Sequence, residues 1–553
     1  MNKFSRIITQ NKKSGASKAM LYSLKLTEND FEKPQIGIGS VCFDSSPCNV
    51  KLNDLALQAK TTLKSNNTFM PFCFNTIGVS DGISMGTSGM RYSLLSREMI
   101  CDSVETITKA HHYDGLVLIG SCDKNLPGLC MSLLEINRPG FLIYGGSSSP
   151  VFYKNQKLDI VDAFESYGKY LNNEISDFER ENIVQNSCNK NCGTCAGYYT
   201  ANTMAIILEV MGLLIPNSSS NLSQTKEKFS ECSQTHDIIN RLFINNLKPK
   251  DILTKKSFIN GIRMLYIIGG STNAIIHLLA ISKSANISLT YEDFKKEEHL
   301  PILLNMKPHG THFLSDLTEI GGSSMIIKYL IDNNILHSDV LTITTKTLKN
   351  NYNNIPNLNF DNQNIIFPFA KPFKKSSHIK LLRGNIAKNF CISKIYNNDS
   401  YYSGKIKVFD SEIEFLENLE KNLIKENDAI LIRYQSEKVG SPEMLLPSSA
   451  LKIYFKNSKN TPILLTDGRF SGGSSGVLVC HIDDGFDNTN LTNIIQNDDI
   501  LTIDLNKSEI NIEISKEEIV KRKNKIVVKK LDLSGVLAKY SKNVGDITSG
   551  FST

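Results

Sequence analysis

No apolar stretch in this 553-residue sequence approaches the length of a bilayer span, which takes roughly 18–20 residues. A helical membrane protein is therefore not expected. The nearest stretch, Gly269 to Ile281, is broken by Ser271, Thr272, Asn273 and His277. A basic stripe interleaved with aromatics is missing too, and the net charge of +6 is small and spread along the chain. Nucleic acid is thus not expected as a partner. No apolar core of a secretory signal is found, so the 12 cysteines read as thiols or metal ligands and not as a disulfide frame. Acidic residues are absent until Glu28, behind Lys3, Arg6, Lys12, Lys13, Lys18 and Lys25. That pattern fits an organelle transit peptide or a basic surface segment of the mature protein, the second being preferred. No internal repeat is apparent.

What is present is ordinary for a soluble globular enzyme: 41% hydrophobic and 21% charged residues. The length allows about two to five domains. From Pro34 to Ser284 glycine turns, short apolar runs and helical stretches alternate, among them Phe141-Leu142-Ile143-Tyr144 and the helix-like Thr203 to Leu214. The alternation predicts an α/β fold in which residues 1–346 form a domain with a parallel or mixed sheet. Residues 347–364 are asparagine-rich and read as a linker or exposed loop. Residues 365–553 turn to short β-like runs and predict a second, β-rich, barrel-like domain.

Three adjacent residues, Cys122, Asp123 and Lys124, set a soft thiolate, a hard carboxylate and an amine in one turn. They follow the run Gly115 to Gly120, which reads as a buried strand, and chemistry in parallel sheets gathers where strands end. Thiolate suits iron–sulfur or zinc and carboxylate suits magnesium or manganese, so the pair suggests two unlike metals side by side. Cys48 lies in a turn-forming context that could expose its thiol, and Cys188, Cys192 and Cys195 share a polar loop that could hold zinc or a cluster. Cys42, Cys73, Cys101, Cys130, Cys232, Cys391 and Cys480 read as packing or surface residues. Asp81, between glycines, and Glu443 join Asp123 as hard-ligand candidates. Each has a plainer alternative: a turn residue for Asp81, a helix N-terminal carboxylate for Glu443. Thr466-Asp467-Gly468-Arg469-Phe470-Ser471-Gly472-Gly473 follows another strand-like run and could cradle an anion. Arg469 could pair with a carboxylate. Ser471 is either structural or, if something lowers its pKa, a nucleophile or base.

Taken together, FNTIGVSDGISMGTSGMRYSLLSREMICDSVE, GSCDKNLPG, GTCAGYYTANTM, GGSTNAIIHLLAI, LLRGNIA, SPEMLLPSSAL and TDGRFSGGSSG resemble the dihydroxy-acid dehydratase family, within the group that includes sugar-acid dehydratases. They run in family order and span nearly the whole chain. The resemblance implies removal of water from (2R)-2,3-dihydroxy-3-methylbutanoate and its 3-methylpentanoate homologue, giving 2-oxo acids for valine and isoleucine. The alternative is an aldonate or phosphogluconate dehydratase on the same scaffold, with a non-catalytic iron–sulfur or redox-sensing protein as a rival from another class. By motif, Cys48, Cys122 and Cys195 would bind a [2Fe–2S] or [4Fe–4S] cluster. Asp81, Asp123, Glu443 and carbamylated Lys124 would hold Mg²⁺, and Ser471 would be the base. Arg469, Ser271, Thr272 and Asn273 would contact substrate. A homodimer is implied as well. The segment from Arg6 to Leu24 matches the start of the mature enzymes, so a cytoplasmic protein is expected.

Three departures stand out. The loop Ser436–Pro442 is shorter and poorer in glycine than in the family, Ile482-Asp483-Asp484-Gly485 replaces a Ser-Pro-Glu-Ala-like turn, and Cys188 and Cys192 have no family role.

Overall fold

A computed structural model describes residues 2–395, 400–525 and 529–553. Its N-terminal sheet holds four parallel strands: β1 (Gln35–Ser40), β2 (Met70–Asn75), β3 (Gly115–Gly120) and β4 (Gly140–Tyr144), in the order β2-β1-β3-β4. β1, β3 and β4 are buried at every position, which is why they read as unbroken runs of apolar and small residues without alternation. The helix Leu52–Ser65 packs on β1 and β2 through Leu52, Leu55, Ala56, Ala59 and Leu63, a stripe with helical spacing. The helix Asn125–Ile136 packs on β3 and β4. Parallel strands return the chain to the same edge each time, so the loops after them collect at one end of the sheet.

The helix expected over Thr203 to Leu214 runs instead from Thr200 to Val210. Gly212 ends it with φ of +97°, where a Cβ would lie 2.6 Å from the Leu341 carbonyl oxygen. A small hairpin of β5 (Val151–Tyr153) and β6 (Gln156–Leu158) precedes the helix Ile160–Leu171. The asparagine-rich stretch is anchored at its start, not wholly exposed. It opens with the helix Leu348–Tyr352, whose two end residues are buried, and Tyr352 Oη donates to buried Glu209 at 2.7 Å. Two anchors in a polar stretch leave no periodicity to read.

The C-terminal part contains β7 (Ile379–Gly384), β8 (Ala387–Lys394), β9 (Tyr401–Phe409), β10 (Ala429–Ile432), β11 (Glu443–Met444), β12 (Ile463–Thr466), β13 (Arg469–Phe470), β14 (Leu478–Cys480), β15 (Ile500–Asp504) and β16 (Glu509–Glu513). Eight of these close into a mixed barrel in the order β10-β12-β14-β8-β7-β16-β15-β9, with β9 meeting β10. Alternate residues such as Leu501 and Ile503, or Ile510 and Ile512, build an apolar cluster of their own. β11 and β13 pair in parallel outside the barrel. The helix Leu446–Tyr454, which follows β11, packs against Ile160–Leu171. That contact seats the β11–β13 pair over the loop edge of the N-terminal sheet. Among the described residues no helix is long and apolar enough to cross a membrane.

Candidate active site

Every N-terminal strand contributes to the site through the loop that follows it. Cys48 follows β1, Asp81 follows β2 and Cys122-Asp123-Lys124 follow β3. Ser147, after β4, bridges to Thr194, next to Cys195. Asn125 knits two of these loops together. Its Oδ1 accepts from the Cys122 backbone N–H at 3.0 Å and from Asn49 Nδ2 at 2.7 Å. This fixes Cys48 relative to Cys122. The Cys195 carbonyl is held by Asn202 Nδ2 at 2.7 Å and Ser147 Oγ at 3.1 Å. All three thiols face one cavity of about 190 Å³. Contact with the Cys122 thiol and then burial push Cys48 well above the usual thiol range. Burial does the same to Cys195, with Asp123 adding to it. Three thiols at one cavity wall form a soft donor set, and a soft metal ionises such a set outright. The donors therefore fit an iron–sulfur cluster.

Beside them, ligand oxygens of Asp81, Asp123 and Glu443 lie within 4.8 Å of one another. Lys124 Nζ sits among them, 2.7 Å from Asp81, 3.2 Å from Glu443 and 3.7 Å from Asp123, with its side chain fully buried. Ser93 Oγ donates to the other Asp81 oxygen at 2.6 Å. Burial raises the Asp123 carboxyl to about 7 against the pull of Lys124. Glu443 goes the other way: burial would raise it, but Lys124 and Arg469 outweigh burial and hold it at about 2.

Glu443 lies 319 residues from Lys124 in sequence and reaches the site from the C-terminal part. It is a strand residue in register with Arg469 and not a helix N-terminal carboxylate; the next helix begins at Leu446. Arg469 is fully buried, donating from Nη1 to Glu443 at 2.9 Å and from Nε to the Ser441 carbonyl at 2.7 Å. Asn273 Nδ2 donates to the same Glu443 oxygen at 2.8 Å. The other one, Oε1, is buried and has no hydrogen-bond partner among the described residues. An orphaned carboxylate oxygen beside two further carboxylates suits a hard divalent cation, so the residues present fit Mg²⁺.

Ser471 follows β13 and lines the cavity beside Glu443. Its Oγ accepts from the Gly473 backbone N–H at 3.4 Å. Arg469, Ser271, Thr272 and Asn273 stand behind the cavity wall and not in it. Ser271 Oγ bonds Thr200 Oγ1 at 2.9 Å. Cys188 also lines the cavity, whereas Cys192 borders a separate hollow with Lys51. Motif reasoning missed the apolar wall of Ile83, Leu158, Val161, Phe164 and Leu445. The one signal for part of it was the apolar side of the helix Ile160–Leu171 following the hairpin.

Three carboxylates that could hold a metal ion, three thiols and a serine gather around one cavity, an arrangement that suits an enzyme acting on a small molecule. Models of the dihydroxy-acid/6-phosphogluconate dehydratase N-terminal and C-terminal domains match residues 33–351 and 364–551. Proteins named dihydroxy-acid dehydratase align end to end. One from Francisella tularensis subsp. novicida is 42% identical over 100% of this chain and 98% of its own. One from Flavobacterium psychrophilum is 41% identical over 100% and 99%, and a Saccharomyces cerevisiae protein named as mitochondrial is 41% identical over 100% and 95%. The chain belongs to the dihydroxy-acid/6-phosphogluconate dehydratase family, and it is a hydro-lyase.

Proposed function

We propose that this enzyme dehydrates (2R)-2,3-dihydroxy-3-methylbutanoate and the 3-methylpentanoate homologue to 2-oxo acids, for valine and isoleucine synthesis. The observation that carries the reading is the cavity wall. The cavity lined by the thiols, the carboxylates and Ser471 also has Ile83, Leu158, Val161, Phe164 and Leu445 in its wall. That wall accepts a branched alkyl group. A sugar acid would bury hydroxyls there without partners, at about 1–3 kcal/mol each.

Asp81, Asp123, Glu443 and Lys124 as its carbamate would hold Mg²⁺, and Cys48, Cys122 and Cys195 a [2Fe–2S] or [4Fe–4S] cluster. When bound, the two would supply Lewis acidity toward the substrate carboxylate and its two hydroxyls. Carbamylation turns the Lys124 ammonium into an oxygen donor at the centre of the carboxylates. Ser471 Oγ takes the C2 proton. An unperturbed serine hydroxyl is too weak a base, so neighbouring positive charge must lower its pKa. Arg469 and Asn273 act through Glu443, whose bonded oxygen they fix, and leave the orphaned one to face the cation. Asp159 and Tyr199, joined at 2.6 Å, close the cavity near Cys195. Residues 1–346 would thus carry the thiols and most hard ligands, 347–364 join the halves, and 365–553 bring Glu443 and Ser471. The protein would work as a cytoplasmic homodimer with a small-molecule partner only.

Two measurements test this. Protein purified anaerobically should carry iron and sulfide in equal amounts, and a preparation with no acid-labile sulfide would remove the cluster from the reading. With Mg²⁺ added, turnover of 2,3-dihydroxy-3-methylbutanoate should exceed that of gluconate by at least ~100-fold, the scale set by leaving several hydroxyls unpaired. Activity confined to the sugar acid would overturn the assignment.

A further inference from the structure

We infer that Lys394 is a positioning residue for Ser471, holding the serine turn in place; the inference rests on the reading of Ser471 as the base. Lys394 ends barrel strand β8 and is 2% exposed. Its ammonium donates to the Gly472 carbonyl at 2.9 Å and to the Ser474 carbonyl at 2.7 Å. Those two carbonyls bracket Gly473, whose N–H points at Ser471 Oγ. The opposite face of the turn is pressed against the N-terminal domain. A Cβ on Gly472 would lie 2.8 Å from the Thr200 backbone nitrogen and 3.0 Å from Ser271 Oγ. The turn is therefore gripped from the barrel by Lys394 and from the sheet domain by Thr200 and Ser271.

Burial draws the Lys394 pKa down to about 7, against the pull of Cys480 and Glu443, and the amine can donate to both carbonyls in either protonation state. The Gly473 N–H that this grip orients is aimed at Ser471 Oγ and is in place before the reaction begins.

The test is Lys394→Met in the loaded enzyme, with Lys394→Gln in its place if the methionine variant does not fold. Misplacing a reacting group by about 1 Å costs up to roughly 100-fold, so kcat should fall roughly 10- to 100-fold with KM within about twofold. The C2-deuterium isotope effect on kcat should rise, because proton abstraction becomes limiting. Iron, sulfide and Mg²⁺ contents should equal those of the wild type. In a Ser471→Ala background the same substitution should cost nothing further. Deuterium uptake by the backbone of residues 471–474 should increase, and this holds whatever acid the enzyme takes. It therefore separates failure of this inference from failure of the substrate assignment. Unchanged uptake, an unchanged isotope effect, a loss that follows iron content, or an additive loss in the Ser471→Ala background would each overturn it.

Discussion

Ser471→Ala should lower kcat by at least ~100-fold, the lower end of what a positioned proton transfer contributes, while the protein keeps its fold and its metals. That loss is worth about 2.7 kcal/mol of transition-state stabilisation. The turn does not depend on the hydroxyl for its shape. The Ser471 backbone N–H donates to the Met444 carbonyl at 3.0 Å, and the Ser474 N–H donates to the Ser471 carbonyl at 3.0 Å. Neither bond involves Oγ. The change removes the long hydrogen bond from the Gly473 N–H and the hydroxyl's interaction with the Glu443 carboxylate. None of the thiols or carboxylates loses an atom. Stability and metal content should therefore stay near wild type, and the loss should fall on kcat. Anaerobic steady-state kinetics with iron, sulfide and Mg²⁺ counted on the same sample would decide it. Turnover within threefold of wild type would remove Ser471 from the chemistry, and a parallel loss of metal would make its role structural.

The parts of the site that sequence made legible are those where chemistry follows directly on a strand. Asp81, Cys122-Asp123-Lys124 and Ser471 each come soon after a short apolar run, and such runs ending at glycine or polar residues mark strand ends without any structure. Family order then tied them together. Glu443 was less legible. With Pro442 before it and an apolar stretch after it, it looks like a helix start, and only its pairing with Arg469 makes it a strand residue. Local pattern reports neighbours along the chain, whereas Glu443 is placed by β13 and by the contact between Ile160–Leu171 and Leu446–Tyr454. Asn273 and Arg469, expected to contact substrate, each bond to Glu443. Lys394 carried no signal at all, since one lysine at the end of a β-like run is ordinarily a solvated strand end. The barrel closure is likewise a long-range property, set by β9 meeting β10 and β15.

Lys124→Met should destabilise the metal-free protein by about 3–5 kcal/mol, the cost of removing one partner from a buried charge pair, and should abolish turnover. The reason lies in what the ammonium now balances. It is within 4 Å of Asp81, Asp123 and Glu443. Without it, three carboxylate groups whose oxygens lie within 4.8 Å of one another keep only Arg469, on Glu443, as a cation at ion-pair distance among the described residues. Methionine fills much of the same volume, so packing loss is small and the penalty is electrostatic. Added Mg²⁺ replaces the missing positive charge. The thermal midpoint of the variant should therefore fall below that of the metal-free wild type and recover as Mg²⁺ is titrated, more steeply than in the wild type. Activity should not return with it, because methionine cannot form the carbamate oxygen that the proposed site needs. In the wild type that carbamate can be sought separately, by carbon-13 NMR after exposure to labelled bicarbonate. A metal-free variant as stable as the wild type would mean that the carboxylates do not need the ammonium, and recovery of turnover by Mg²⁺ alone would exclude Lys124 as a ligand.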